Sequence, residues 1–312
     1  MIKKIYGKHT FYFSILVIAL SIFALVVGNS VFSNKSIISL ICLFFIVSIG
    51  ISHGAMDNHK AEKLLKIYKQ NNKIIFYIIY ILISLFVILM WNLFASFTLL
   101  IFLLVASYHF GREDTSFLLA NNSNLDQLFY LTKGSLIVFS PLFFQIDETL
   151  KIFKTLFLND EILFFLANEH WVINVCIGIS ILGYFYFVFK NSFKDFEILF
   201  LDLFSILILN YIFSPLIAFT IYFCFLHSIR HIISISYELN ENSFFNGFRE
   251  FVTKALPLTI VTAFIYLIAL VFLSNTYGLN DVIIKVIFIG LASLTFPHIL
   301  LEYLIEINEK RT

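Results

Sequence analysis

Hydrophobic and polar positions along the chain form long blocks rather than the short periods of water-facing helices or strands. Mostly apolar runs of the roughly 20 residues that a spanning helix needs are separated by short polar segments. The runs begin near Thr10, Ser36, Lys73, Ala95, Leu128, Trp171, Phe196, Pro215, Ala255 and Val282. This pattern predicts an all-α polytopic transmembrane helix bundle of about ten spans. Residues 151–167 fit either an interfacial helix or part of a broken span.

Composition supports a membrane protein along the whole length. Of the 312 residues, 60% are hydrophobic and 13% are charged, and the mean hydropathy is +0.93. A soluble domain is about half apolar and a quarter charged. We therefore expect residues 1–312 to form a single integral membrane domain that contacts membrane lipid. The formal net charge of +1 provides no basic excess for nucleic acid, which we exclude as a partner.

The basic residues predict the orientation of the bundle, because lysine and arginine are enriched in cytoplasmic segments. With strictly alternating spans, most of them fall on the side of the N-terminus, and only Lys35, Lys151 and Lys154 do not. The basic residues on the N-terminal side include Lys3, Lys4, Lys8, Lys60, Lys63, Lys66, Lys69, Lys73, Arg112, Lys190, Lys194, Arg249, Lys254, Lys310 and Arg311. Both termini are therefore predicted to be cytoplasmic.

Five histidines lie at the predicted cytoplasmic ends of spans, where ionisable groups are costly and usually functional. They are His53, His109, His227, His231 and His298. All four spans that contain them are predicted to run from outside to inside, so the rings reach the same half of the membrane. His227 and His231 are four residues apart and share a helix face, the spacing with which a helix offers two ligands to one metal. As a set, the five histidines favour a metal site, although one such histidine alone is more often a packing or proton-relay residue.

Several neighbouring polar residues allow two interpretations each. Asp57 follows His53 by one turn, and Glu302 follows His298 by one turn, so each carboxylate is a candidate for orienting an imidazole. Asp114 fits such a role or that of a solvated loop charge. For Arg230 we favour extension to the lipid headgroups over pairing with a carboxylate. We predict that His9, His59 and His170 take no part in the site.

Four motifs in this order resemble the Brp/Blh family of membrane carotene dioxygenases. They are HGAMD at residues 53–57, YHFGRED at 108–114, HSIRH at 227–231 and FPHILLE at 296–302, and together they extend over most of the chain. Each motif alone is unspecific, whereas all four in order are much more specific.

The resemblance implies an iron(II) enzyme without haem that splits the central double bond of beta-carotene with O2 to give two molecules of retinal. By motif, the catalytic iron ligands are His53, His109, His227 and His231. His298 is a further ligand or a supporting residue, as are Asp57 and Glu302. We expect an all-histidine Fe(2+) site in the cell inner membrane, and a retinal-binding rhodopsin is a possible downstream partner. Dissolved in the bilayer, the hydrocarbon substrate reaches such a site without crossing water.

Three alternatives remain open. A membrane di-iron desaturase or hydroxylase also keeps histidines at the cytoplasmic face, but it uses more histidine clusters than this chain has. A transporter or channel would use the histidines to relay protons or metal ions, and it requires polar residues in both halves of the bundle. Asn92, Asp202 and Asn210 are scattered candidates for such a path. An assembly factor for a retinal protein would bind the chromophore without converting it.

Overall fold

In a computed structural model of the protein, every regular element of the described residues is helical, and they contain no strand. The structure describes residues 2–28, 34–52, 54–69, 72–119, 123–191, 193 and 195–309. The predicted all-α class is therefore confirmed.

The first half of the chain contains eight α-helices. These are α1 (Ile2–Val27), α2 (Lys35–Phe45), α3 (Asp57–Ile67), α4 (Lys73–Leu93), α5 (Ala95–Glu113), α6 (Asn124–Gly134), α7 (Leu136–Phe144) and α8 (Ile146–Thr155). The second half contains α9 (Asp160–Asn168), α10 (His170–Lys190), α11 (Phe196–Ile212), α12 (Pro215–Ile221), α13 (Ile229–Leu239), α14 (Phe244–Ser274) and α15 (Leu279–Glu309).

Nine helical segments of the described chain are long and apolar enough to cross a membrane. They correspond to nine of the ten predicted runs. The remaining run, which begins near Phe196, forms α11. Its 17 residues are at the lower limit for a spanning helix. The predicted run from Leu128 combines α6 and α7, which meet at Ser135. Residues 151–167, for which two interpretations were open, contribute to the short helices α8 and α9.

The spans differ in how much of their surface other helices cover. In the apolar stretch of Pro215–Leu239, 78% of the residues are buried, whereas the corresponding share is 6% in α14 and 11% in α4. Most of the side chains that remain exposed on α4 and α14 are large and apolar, as expected of surfaces that face lipid. The segment with the HSIRH motif is therefore central, and α4 and α14 are peripheral.

Two glycines let α5 and α6 approach each other closely. A Cβ atom at Gly111 would collide with the backbone carbonyl of Tyr130, and one at Gly134 would collide with the carbonyl of Ser107. Small residues at such crossings allow membrane helices to pack backbone against backbone. This contact fixes the last turn of α5, which contains His109.

Two short π-helical turns lie against each other in the middle of the bundle, at Ile46–Gly50 and Tyr222–Ser228. Ser228 Oγ donates a hydrogen bond to the carbonyl of Gly50 at 3.0 Å. A Cβ at Gly50 would collide with the ring of Phe223. Such π-turns are rare and frequently occur at functional sites, and the second one contains His227.

Candidate metal centre

Three helical segments each present two metal-binding residue types four positions apart, and therefore on one face. They are His109 and Glu113 on α5, His227 and His231 in the π-turn and the start of α13, and His298 and Glu302 on α15. All four imidazoles are buried, with exposed fractions of 5% or less. Helices that are distant in sequence thus bring their polar residues to one interior location.

The four rings form a connected cluster. The ring centroid of His109 lies 5.2 Å from that of His227 and 5.3 Å from that of His298. The centroids of His231 and His298 are 5.6 Å apart. These distances are about half of a helix diameter of roughly 10 Å, so the rings are close enough to share one bound group.

Three of the imidazoles contact a carboxylate through Nδ1. His298 Nδ1 lies 2.8 Å from Asp57 Oδ1, and His231 Nδ1 lies 3.1 Å from Glu113 Oε2. His227 Nδ1 lies 3.4 Å from Asp114 Oδ1. An ionised carboxylate only accepts hydrogen bonds, so Nδ1–H is the donor in each pair, and Nε2 keeps its lone pair whenever the ring is neutral. This is the arrangement in which protein imidazoles usually bind metals.

The carboxylate of Glu302 lies close to three of the four imidazoles. Its Oε1 is 3.6 Å from His298 Nε2 and 3.8 Å from His231 Nε2, and its Oε2 is 3.8 Å from His109 Nδ1. Two groups of three residues have potential ligand atoms within 4.8 Å of one another: His109, His298 and Glu302, and Glu113, His231 and Glu302. A carboxylate therefore belongs to both groups, which makes Glu302 a candidate ligand beside the expected histidines.

Lys60 reaches the same cluster from α3. Its Nζ donates to Glu302 Oε1 at 2.6 Å and lies 3.1 Å from His231 Nε2. The ammonium group compensates the partly buried carboxylate. A metal bound through His231 Nε2 would replace this contact, which the flexible lysine stem permits.

Arg230 does not extend to the headgroups as we expected. It is 2% exposed, and its guanidinium donates to both carboxylate oxygens of Asp202, at 2.9 and 2.6 Å, and to Thr10 Oγ1 at 2.6 Å. This bidentate geometry is specific to arginine. The alternative of pairing with a carboxylate is the correct one, and it accounts for the buried Asp202 without a transport path.

Asp114 is a buried residue of the centre, not a solvated loop charge. It is 3% exposed. Tyr222 donates its hydroxyl to Asp114 Oδ2 at 2.6 Å, and Arg230 Nη1 donates to the Asp114 backbone carbonyl at 3.4 Å. These contacts hold the carboxylate next to the His227 ring and connect the histidine cluster to the Arg230–Asp202 pair.

The structure brings together most, but not all, of the predicted site residues. His109, His227, His231, His298, Asp57 and Glu302 all lie in the cluster. His53 lies outside the described residues, directly before the turn Gly54–Met56 that leads into α3. Asp57, which we expected to orient His53, contacts His298 and accepts a hydrogen bond from Tyr80 at 3.0 Å. His170 is exposed at the start of α10, whereas His9 is half-buried in α1 and contacts the carbonyl of Phe225.

Sequence reasoning missed two members of the cluster, Glu113 and Lys60. For Glu113 a signal was present, because it follows His109 by four residues just as Glu302 follows His298. For Lys60 there was none. It belongs to a lysine-rich segment of the kind that marks a cytoplasmic loop, and only the packing of α3 on α15 directs it inward.

These residues have a donor set suited to a metal ion. Two imidazoles and one carboxylate with open positions are typical of non-haem iron oxygenases, and imidazole also suits zinc and copper. The group formed by His109, His298 and Glu302 has this composition. The carboxylates that contact Nδ1 supply the supporting hydrogen bonds that such sites require. The buried histidine and glutamate residues could therefore hold a metal ion.

Comparison with known proteins identifies the family. The sequence profile of the family "Beta-carotene 15,15'-dioxygenase" matches residues 43–306, which include all four motifs. The chain is 30% identical over 267 residues to a protein named "Beta-carotene 15,15'-dioxygenase" from Uncultured marine bacterium 66A03, covering 83% of this chain and 90% of that relative. No solved structure matches the chain. The chain therefore belongs to the beta-carotene 15,15'-dioxygenase family.

Proposed function

We propose that the protein is a membrane-embedded non-haem iron(II) dioxygenase that cleaves beta-carotene at its central double bond. One molecule of O2 contributes one oxygen atom to each carbon of the broken bond, so the products are two molecules of retinal. The main support is the buried cluster of four imidazoles and Glu302 in a chain of this family.

In this proposal the iron ligands come from the histidines of the motifs and from the other residues of the histidine cluster. His109, His227 and His231 are the described histidines that the motifs carry over, and His53 is the fourth. The contacts of His298 and Glu302 make both of them candidates for direct ligands as well. A bound iron(II) ion would supply the chemistry with O2 that protein side chains lack.

The protein's own residues orient the site and keep it dry. Asp57, Glu113 and Asp114 fix the orientation of three imidazole rings through Nδ1. Phe110 packs edge-on against His227, with ring centroids 4.8 Å apart. The apolar surroundings exclude water from a reactive site and dissolve a hydrocarbon substrate that water does not.

A second candidate function, that of a di-iron desaturase or hydroxylase, is favoured by one observation. The two groups of potential ligands share Glu302, as two metals bridged by one carboxylate would. However, Lys60 already places one cation against both His231 and Glu302, and its charge disfavours two metal ions together in this cluster more than it disfavours one. The metal-to-protein ratio separates the candidates, since we expect a value near one and the di-iron enzyme requires two.

Expression in carotene-producing bacteria tests the proposed function. We expect the cells to lose colour and to accumulate retinal, and His227→Ala to abolish both effects. His170→Ala is the matched control, because His170 is an exposed histidine outside the cluster. If colour persists with folded, iron-loaded protein, the enzymatic proposal is wrong.

The membrane context remains part of the proposal. We expect the protein in the inner membrane with both termini cytoplasmic, so that retinal is released into the bilayer, where a retinal-binding rhodopsin would take it up. Cysteine labelling from each side of the membrane at positions in the lysine-rich segment of α3 tests the orientation.

A further inference from the structure

A narrow apolar cavity lies beside the histidine cluster, enclosed by α5, α7, α8, α12, α15 and the second π-turn. Thr149 and Thr295 are the polar residues in its wall. The hydroxyl of Thr149 already donates to the carbonyl of Gln145 at 2.8 Å. The wall is therefore suited to a hydrocarbon and offers little to a polar ligand.

One end of the cavity is in direct contact with the candidate metal centre. Phe110 and Phe223 belong to its wall, and both rings contact the His227 imidazole. The centroid of Phe110 lies 4.8 Å from that of His227, and the ring of Phe223 lies 5.8 Å away at an interplanar angle of 15°. A molecule in the cavity would therefore end beside His227.

The cavity extends from that end along α5. Phe102, Ala106 and Phe110 contribute to its wall, and their spacing of four residues forms one stripe on the helix. At a rise of 1.5 Å per residue, the stripe is about 12 Å long. The cavity volume is about 80 Å³, so the cavity is a narrow channel whose side chains have to move apart when a substrate of drug-like size enters.

The length of the stripe corresponds to the polyene part of one arm of a carotenoid. From the central double bond to the ring at either end, a C40 carotenoid has about nine bonds, and at roughly 1.2 Å per bond of an extended chain they span about 11 Å. A polyene is thin and rigid, so it loses little conformational entropy on entering a narrow channel.

We propose that this cavity binds one arm of the carotenoid substrate and places the central double bond beside His227. The inference rests on the proposed function and adds the position of the substrate. The arm extends from Phe110 towards the other end of α5, and the terminal ring lies near Ile152 of α8. Because the substrate has two equal halves, either half can occupy the cavity.

Two neighbouring leucines of α5 provide a matched test. Leu103 lines the cavity, whereas Leu104 is 58% exposed on the outer surface of the same helix. Leu103→Trp fills the channel, and we expect it to lower kcat/KM for beta-carotene by about tenfold or more, as overpacking of a fitted site does. Leu104→Trp adds the same side chain outside the channel and should leave the turnover of beta-carotene unchanged.

A binding measurement complements turnover and does not depend on iron. Metal-free protein is incubated with beta-carotene without oxygen, and the carotenoid that co-elutes with it is measured by absorbance. We expect the wild type and Leu104→Trp to retain carotenoid and Leu103→Trp to lose most of it. Ile152→Trp closes the channel from α8 and should have the same effect, so it replaces Leu103→Trp if that variant does not fold.

The outcomes separate the inference from the proposed function. If the wild type forms retinal while Leu103→Trp and Ile152→Trp bind and cleave beta-carotene equally well, the cavity does not hold the substrate. An iron-loaded wild type that leaves beta-carotene intact overturns the proposed function and the inference that rests on it. Loss of carotenoid binding in the two channel variants, with iron content and turnover preserved in Leu104→Trp, supports the proposal.

Discussion

Replacing Glu302 by glutamine tests the central feature of the candidate metal centre, because this residue belongs to both groups of potential ligands. The change keeps the shape of the side chain and removes its charge. The carboxylate oxygens lie 3.6 to 3.8 Å from nitrogen atoms of His109, His231 and His298. A metal ion bound among these nitrogens would therefore lie next to the carboxylate.

Two principles set the magnitude of the expected effect. Loss of a residue that merely supports a ligand lowers metal affinity about 10- to 100-fold. Two unit charges 4 Å apart interact by about 4 kcal/mol at an effective dielectric constant of 20, so loss of a direct anionic ligand costs more. For Glu302→Gln we expect at least about 100-fold weaker iron(II) binding, equivalent to about 2.8 kcal/mol.

Equilibrium dialysis against a chelator of known affinity, under anaerobic conditions, measures this change. The matched control is Glu306→Gln. Glu306 follows one turn later on α15 and pairs with Arg112 at 2.6 Å, outside both groups of potential ligands. Because Glu302→Gln also leaves Lys60 without its carboxylate, the double variant with Lys60→Met is included. Equal iron affinity in the wild type, Glu302→Gln and Glu306→Gln would show that Glu302 is not part of the metal site.

Three further variants address the surroundings of the centre. Lys60→Met should raise metal affinity about tenfold, because no ammonium group then competes for His231 Nε2, and dialysis measures the change. Arg230→Ala leaves Asp202 buried without its partner, and we expect a loss of about 3 to 5 kcal/mol of folding free energy by denaturant titration in detergent. Gly111→Ala forces α5 away from α6 and should lower the unfolding temperature while also reducing iron content, since His109 is in the same turn.

Each of these variants has its own control. Lys63→Met removes a lysine whose pair with Glu238 is half exposed, and we expect this variant to have unchanged metal affinity. If metal affinity rises equally in Lys60→Met and Lys63→Met, competition by Lys60 for His231 is excluded. Asp202→Ala together with Arg230→Ala removes both charges and should restore part of the lost stability. Gly178→Ala adds a Cβ where no atom lies within 4 Å, and a loss as large as that of Gly111→Ala would contradict the steric explanation.

The helical architecture was predictable from the sequence because hydropathy is a local property. Each run of about 20 apolar residues has to satisfy its backbone hydrogen bonds internally in a membrane, and only a helix does so within one segment. The run that begins near Phe196 was the exception in length, because α11 has 17 residues. The convergence of histidines from different spans followed from the same reasoning about spans and their direction.

The pairing of polar residues was decided by the tertiary structure. Asp57 contacts His298, 241 positions away, and Glu113 contacts His231, 118 positions away. For Asp57 the sequence suggested a partner one turn away, and for Glu113 it suggested none, because local spacing is all that a single helix reveals. Arg230 likewise faces Asp202 rather than the headgroups.

The sequence by itself thus determined that this chain forms a membrane helix bundle and which residues have metal-binding chemistry. Which imidazole, carboxylate and ammonium groups meet depends on how far each helix is rotated and how closely it packs. Contacts between distant segments set both quantities, such as the glycine crossing of α5 and α6 and the paired π-turns. Hydrophobicity is similar around most of these helices, so it cannot specify their rotation, whereas side-chain packing and buried charge pairs can.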